Sequence, residues 1–416
     1  MWRSAAGHSS VCPAVFLVLR GRDETMSNRR SLFSVLVVAV VLGGGCSSSK
    51  PAATDGTVAA PAMVWPLPPD PPRIQYTGEV RGGDNGESRS SFTSRLRNSL
   101  LGSKEKDTGI QVQRPFDVHV DPVGRMYVTD GMSPSFIVLE AGERRARTVS
   151  PAGPGALAKP MGVGGNAEGD VFIADPVHHR IVAFDSSGIF KRAYGGSGVL
   201  LSPVDVALSP AGQRVYVVDS YLHQLVIFSE SGEVMRRVGK HLGDIETKET
   251  RLRNQGKADN PHEHGEPSDM VENRSGAPGE FRYPSFVDVA PDGTVYVTDS
   301  MNGRIQAFDA TGEFLRIIGR MGDTPGSLAR PKGVAVDSEG HVYVVDAAFS
   351  NVQIFDSGGK LLLPFASLGT GPGLLYMPLG ISIDDRDRIF VADRYNNRVQ
   401  VYQYLEDASA TAESVE

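Results

Sequence analysis

Six times along this chain a proline opens a short apolar strand, a turn follows, and a second strand closes on an aspartate in the pattern Val/Ile-Tyr/Phe-Val-x-Asp. The prolines are Pro115, Pro160, Pro203, Pro284, Pro331 and Pro378, and the aspartates are Asp130, Asp175, Asp219, Asp299, Asp346 and Asp393. Successive aspartates stand 45, 44, 80, 47 and 47 residues apart, so one interval carries an insertion, placed at 240–278. A unit of four short strands cannot bury its own apolar faces and must stack on its neighbours. The pattern predicts an all-β fold, a six-bladed β-propeller of four-stranded antiparallel blades.

The fifth repeat shows how the strands divide. Residues 333–337 form the first, 341–346 the second, 352–356 the third and 360–366 the fourth, with Ser338-Glu339-Gly340 and Ser357-Gly358-Gly359 as turns. The sixth repeat runs into the C-terminal tail after its third strand, Arg398 to Tyr404. Near the other end of the chain, residues 73–80 resemble a fourth strand such as 314–319. They are expected to complete the last blade, which removes an exposed edge. The propeller then spans residues 72–405.

The start of the chain reads as an address. Residues 1–25 are expected to be an extension upstream of the true start at Met26, and residues 26–45 a signal peptide. Its basic Arg29-Arg30, apolar run from Leu32 to Leu42 and small residues before Cys46 are too short for a membrane span. The cysteine after the small residues makes this segment resemble a bacterial lipoprotein signal, which implies lipid attachment at Cys46; ordinary cleavage that leaves Cys46 free is the alternative. The other cysteine, Cys12, precedes Met26, so the mature chain has no pair for a disulfide. Residues 46–71 are Pro-rich and expected to be an extended linker reaching up to ~80 Å. Residues 406–416 are expected to be a disordered acidic tail. Net charge is −7 for the whole chain, which argues against a nucleic-acid surface.

The clearest repeats read Asp299-Ser300-Met301-Asn302-Gly303-Arg304-Ile305-Gln306 and Asp393-Arg394-Tyr395-Asn396-Asn397-Arg398-Val399-Gln400. With Pro-x-Gly/Asp-Val before them, they resemble the NHL-repeat family, and the layout with signal and linker resembles its bacterial lipoproteins. The resemblance implies a binding platform, with a minority of enzymes on related propellers.

The six closing aspartates are expected to serve the strand turns, where a short carboxylate accepts from backbone N–H groups. Asn302, Arg304, Asn396 and Arg398 should brace the same turns. In an up-and-down blade, the turns between strands two and three share one end of the ring with the blade connections. That end gathers His178, His179 and His223, and the insertion adds His241, His262 and His264. Imidazoles and carboxylates there could hold a divalent metal through His178, His179, His223, His262 and His264; solvated loop histidines are the plainer alternative. Asp117, Asp205 and Asp288 fall on inner strands and could line the channel, either as polar residues near a wet axis or as cation ligands. Peptide-amidating lyases resemble this fold and hold metal on inner-strand histidines, but the inner strands here carry only His119, and His341 starts a second strand.

These features predict a monomeric, membrane-anchored binding or scaffold propeller of the cell envelope, on the periplasmic side or at the outer membrane. Its partners would be another envelope protein or a small ligand, and the bilayer through acylated Cys46. The alternative is a metal-dependent propeller hydrolase or lyase with an ion in the channel. The long connections, about 81–112 and 240–278, should decorate one end. A linker entering from the opposite end would turn that decorated end away from the membrane.

Overall fold

The computed structural model describes residues 63–83, 109–142, 145–239 and 276–405. Six antiparallel sheets follow one another as blades, five of four strands and the last of five. The first runs through Asp117–Val120, Met126–Thr129, Phe136–Leu139 and Ala146–Val149. Blades two to five start at Val163, Pro203, Pro284 and Pro331 and end at Gly195, Val238, Ile318 and Phe365. The sixth consists of Ile381–Ile383, Arg388–Asp393, Arg398–Tyr404 and, as expected, the N-terminal strand Ile74–Val80.

That strand closes the ring by pairing Ile74 with Tyr404 and Val80 with Val399. Arg398 adds an ion pair to Glu79 at 2.5 Å, so a side chain of the last repeat also holds the first strand.

The core lies between blades. Phe172, Ile181 and Tyr194 of blade two pack with Val206, Val217 and Phe228 of blade three, and Tyr343 and Phe365 of blade five with Val391 and Tyr402 of blade six. Each fully buried side chain of this size contributes about 1.5–3 kcal/mol. Alternation makes such packing possible, because each sheet offers one apolar face to either neighbour.

The structure changes one expectation about the linker. Val64–Trp65, inside the stretch expected to be extended, forms a fifth strand on blade six, antiparallel to Ile74–Val80. Trp65 packs against Phe365 and Tyr402 at ring distances of 6.0 and 5.9 Å. Two apolar residues next to an open sheet edge were enough to recruit the chain. The hairpin reverses its direction: Met63 is level with Tyr76 and lies against Gly373, in the connection between blades five and six. Residues 63–65 therefore run antiparallel to Ile74–Val80, toward the end at which that strand begins. Residues 1–62, 84–108, 240–275 and 406–416, which hold the signal peptide, Cys46, most of the two long connections, His262, His264 and the tail, lie outside the described residues.

Candidate functional site

Strand direction gives the ring two ends. The turn end carries the turns between strands one and two and between strands three and four. The loop end carries the turns between strands two and three and the blade connections.

At the loop end the closing aspartates are fully buried, except for the half-buried Asp130. Their carboxylates accept mainly from the connection that leads into their own blade. Asp175 receives the N–H groups of Ala158 and Lys159, Asp219 those of Leu201 and Ser202, and Asp299 that of Arg282. Asp346 likewise receives Ala329 and Arg330, and Asp393 receives Tyr376. The Asn-x-Arg-x-Gln pattern extends this clamp. Arg304 binds Asp299 at 2.8 Å and donates to the carbonyls of Ala277 and Glu280, while Arg398 binds Asp393 at 2.7 Å and donates to those of Gly371 and Leu374.

The histidines of this end have a conformational reason to be there. His179 (φ 54) and His223 (φ 56) occupy the fourth position after their closing aspartates, where other blades place Gly303 (φ 61), Ser350 (φ 52) and Asn397 (φ 53). Histidine is among the few side chains enriched in this left-handed region. Their ring nitrogens are engaged locally. His178 Nδ1 lies 2.7 Å from Asp175 Oδ2, His179 Nδ1 lies 2.6 Å from the Leu201 carbonyl, and His223 Nδ1 accepts from the Tyr283 N–H at 3.1 Å. Burial moves the His223 imidazole below its usual range. Among the described residues no group of three or more His, Cys, Asp or Glu side chains comes together to hold a metal. The five-histidine set is therefore not assembled by His178, His179 and His223, and its remaining members lie outside the described residues.

The channel holds the other acidic set. Near the loop end, Phe116 of blade one stacks on Phe286 of blade four with ring centroids 5.5 Å apart. Blades one and four are opposite in a ring of six, so this pair crosses the axis. A cavity of about 170 Å³ is lined by Asp117, His119, Asp205, Asp288, Ala335 and Ser382, among others. His119 and Asp288 occupy equivalent positions on opposite blades, paired with Tyr127 and Tyr296 of their second strands.

Each carboxylate joins two blades. Asp117 accepts from Val163 N–H at 2.9 Å, Asp205 from Val287 N–H at 2.9 Å and Asp288 from Val336 N–H at 3.0 Å. At the remaining junctions the channel-side bond runs between backbone groups, Gly162 to Val204, Gly333 to Leu379 and Gly380 to Phe116. The glycines are required: a Cβ at Gly162 would collide with Asp205 Oδ1, and one at Gly380 with Asp117 Oδ1. Burial pushes Asp117 and Asp288 up to about 7 and raises Asp205 well above the usual carboxylate range, with Asp117 as its neighbouring like charge. Burial also lowers His119 to about 4, and its Nε2 is buried without a hydrogen-bond partner.

A further set was not singled out from the sequence. Two residues after each closing aspartate stand Met132, Val177, Tyr221, Met301, Ala348 and Tyr395, all exposed at the loop end. The connections add exposed Leu201, Tyr283, Met321, Leu368 and Tyr376. Tyr283 packs on His223 at 4.5 Å, Tyr376 on Tyr395 at 5.3 Å, and the Arg114 guanidinium sits 5.3 Å over Tyr395. At the turn end the exposed large apolar residues include Val123, Ile189, Leu67, Val234 and Leu362, which share no repeated register. The signal was available, since the residue two after the aspartate is large and apolar in five repeats of six.

Comparison with known proteins agrees with the repeat. The NHL repeat is matched at residues 281–308, 328–355 and 375–402. The chain carries NHL repeats. Its matched NHL segments cover the fourth, fifth and sixth blades, where the aspartate clamp is most complete. Over 90 residues the chain is 36% identical to Protein brain tumor of Drosophila melanogaster, a match that covers 20% of this chain and only 9% of that protein. A structural-genomics protein of unknown function from Bacteroides thetaiotaomicron superposes with a TM-score of 0.52 at 15% identity, over 78% of this chain and 75% of its own. Virginiamycin B lyase from Staphylococcus aureus superposes with a TM-score of 0.48 at 14% identity, over 71% of this chain and 96% of its own. At these identities the likeness concerns fold alone.

Proposed function

We propose that this NHL propeller is a lipid-anchored binding platform of the cell envelope, tethered through Cys46, with the loop end as its contact face. The observation that carries this reading is the ring of exposed Tyr, Met and Val at one repeated register, joined by Arg114. Tyr, Met and Arg are the residue types enriched at recognition surfaces, and a contiguous apolar patch on a soluble domain marks a contact site. The stacked Phe116 and Phe286 fill the axis beneath that face, which favours a broad contact over a deep pocket. The partner is another component of the envelope.

Two measurements test it. Cys46→Ala should move the protein from the membrane fraction to the soluble one, and unchanged partition would remove the anchor. Tyr221→Ser with Tyr395→Ser should release the folded protein from whatever cross-links to it in intact cells; undiminished cross-linking would move the contact elsewhere.

A second reading has its own support in the channel carboxylates and the unpartnered His119 Nε2, which suit an ion-dependent lyase or hydrolase. A divalent ion bound stoichiometrically by the purified protein and lost in Asp117→Asn would favour it.

A further inference from the structure

The channel is plugged at one end and opens by degrees toward the other. Phe116 and Phe286 stack across the axis near the loop end, one residue before Asp117 and two before Asp288 in their strands. Exposure then rises along the inner strands. Asp117 and Asp205 are 4% exposed, whereas His119, Asp288 and Ser382, nearer the turn end, are half-buried. So are Gly165, Val289 and Ile383, the next wall residues in that direction. The cavity of about 170 Å³ is therefore a blind pocket reached from the turn end.

Its chemistry is one-sided. Bonds between inner strands consume N–H groups: Val163, Val287 and Val336 donate to carboxylates, and Gly162, Gly333 and Gly380 to carbonyls. Acceptors are left in excess, because a carboxylate offers about four lone-pair sites and each junction takes one. Asp117 and Asp205 belong to blades one and three, yet both reach blade two. Asp117 accepts from the Val163 N–H, and Asp205 Oδ1 lies against Gly162, whose missing side chain gives the two room to meet. A second, independent observation points the same way. His119 Nε2, in the wall of this pocket beside Gly165, is buried without a hydrogen-bond partner. A neutral imidazole keeps one nitrogen as an acceptor, and leaving a buried polar atom unpaired is costly.

We propose that this pocket binds a small organic cation carrying N–H donors, of the guanidinium or alkylammonium class, admitted from the turn end. This needs neither the contact face nor an ion-dependent reaction. Among the described residues no three of the acids and histidines converge as metal ligands do. A cation with several N–H groups instead reaches acceptors on different blades, through hydrogen bonds strengthened by charge. The volume holds about five groups the size of water, at ~30 Å³ each, which suits a compact head group.

Calorimetric titration of the purified full chain with methylguanidinium at pH 8 tests it, and one saturable site is expected. Tetramethylammonium has the charge and no N–H, and should bind far more weakly. Asp117→Asn and Asp205→Asn should each weaken methylguanidinium by about tenfold or more, the worth of one charge-assisted hydrogen bond. Glu233→Gln, on an exposed outer turn, should change nothing. Should an aspartate variant fail to fold, Ser382→Leu narrows the pocket without altering its charge and should still lose binding. The titratable wall residues are Asp117, His119, Asp205 and Asp288, with Asp121 acting on His119 from outside the wall. Since Asp117 and Asp288 hold protons up to about pH 7 in the empty pocket, affinity should rise from pH 6 to 8, by up to about tenfold per unit for each proton released. No saturable binding at pH 8 overturns the proposal, as does equal binding of tetramethylammonium. Displacement of methylguanidinium by an equal concentration of calcium would also overturn it and favour the ion-dependent reading. None of these outcomes bears on the contact face.

Discussion

Aspartate is used at both ends of the ring, and to different effect. At the turn end, Asp121, Asp337 and Asp384 accept the N–H groups two and four residues ahead, as do Asp185 and Asp309. Each braces the turn it stands in. At the loop end, Asp175, Asp219, Asp299, Asp346 and Asp393 reach back to residues 16 to 18 earlier, in the connection from the preceding blade. The first arrangement is local, both in buried aspartates such as Asp121 and Asp337 and in the half-buried Asp185 and Asp309. The second pins one blade to the next, which frees the exposed positions above it from structural duty. Those positions are where Tyr, Met and Val appear.

The largest expected effect comes from the strand that joins the two termini. Deleting residues 73–80 removes the ladder to Arg398–Tyr404 and the Glu79–Arg398 pair, several backbone hydrogen bonds worth ~1 kcal/mol each. Chemical denaturation should show a lower midpoint, and a parental curve would place closure elsewhere. Next in size is a paired comparison of two arginines in the same blade. The Arg398 side chain is 1% exposed at the loop end and Arg388, beside Asp384 at the turn end, is 36% exposed. Arg398→Ala strands a buried carboxylate and should cost about 3–5 kcal/mol; Arg388→Ala leaves the buried Asp384 still accepting two backbone N–H groups and should cost less, about 1–3 kcal/mol. Equal costs would erase the distinction between the ends.

Acidity gives a smaller effect with a definite sign. With folded values near 7 against ordinary unfolded ones near 4, Asp117 and Asp288 hold protons in the folded chain that the unfolded chain releases. Their contribution therefore falls as pH rises from about 4 to about 7, by up to about 1.4 kcal/mol per pH unit for each group. His119, lowered to about 4, opposes this between about 4 and 6.5, since there the unfolded chain holds the extra proton. Asp117→Asn keeps an acceptor for Val163 N–H and removes the charge. It should raise the melting temperature at pH 7 and leave it unchanged near pH 4. A drop at pH 7 would reverse the sign and point to a cation that the carboxylate was holding. The smallest effect belongs to the contact face: Tyr221→Ser with Tyr395→Ser should alter stability by no more than about 0.5 kcal/mol. A large loss would mean that these tyrosines serve the fold.

Most of the fold was legible because propeller strands are written in period two and repeated in register. The closing strand Ile74–Val80 could be assigned from its likeness to 314–319 alone. The Val64–Trp65 strand could not, because two apolar residues among prolines carry no periodicity and gain meaning only beside the open edge they meet. The candidate site was less legible for the same kind of reason. His179 and His223 share a register, with His178 one position before, which suggested a shared ligand, yet at His179 and His223 the register reports a left-handed turn. Which residue Asp205 touches depends on Gly162 of the neighbouring blade, 43 positions earlier. The repeat period relates equivalent positions and does not reveal contacts between unlike ones.

Ring closure also orders events in time. Thr77 and Val401, joined by a hydrogen bond in the finished blade, are separated by 324 residues. The strand made first meets its partner only after the last blade has been synthesised, so until then both termini remain unpaired. Loop entropy alone is a mild obstacle, growing by ~0.6 kcal/mol per doubling of length, but such distant pairing slows folding. An exported chain with this topology would cross a membrane as an open array and lock only when its C-terminal blade has emerged.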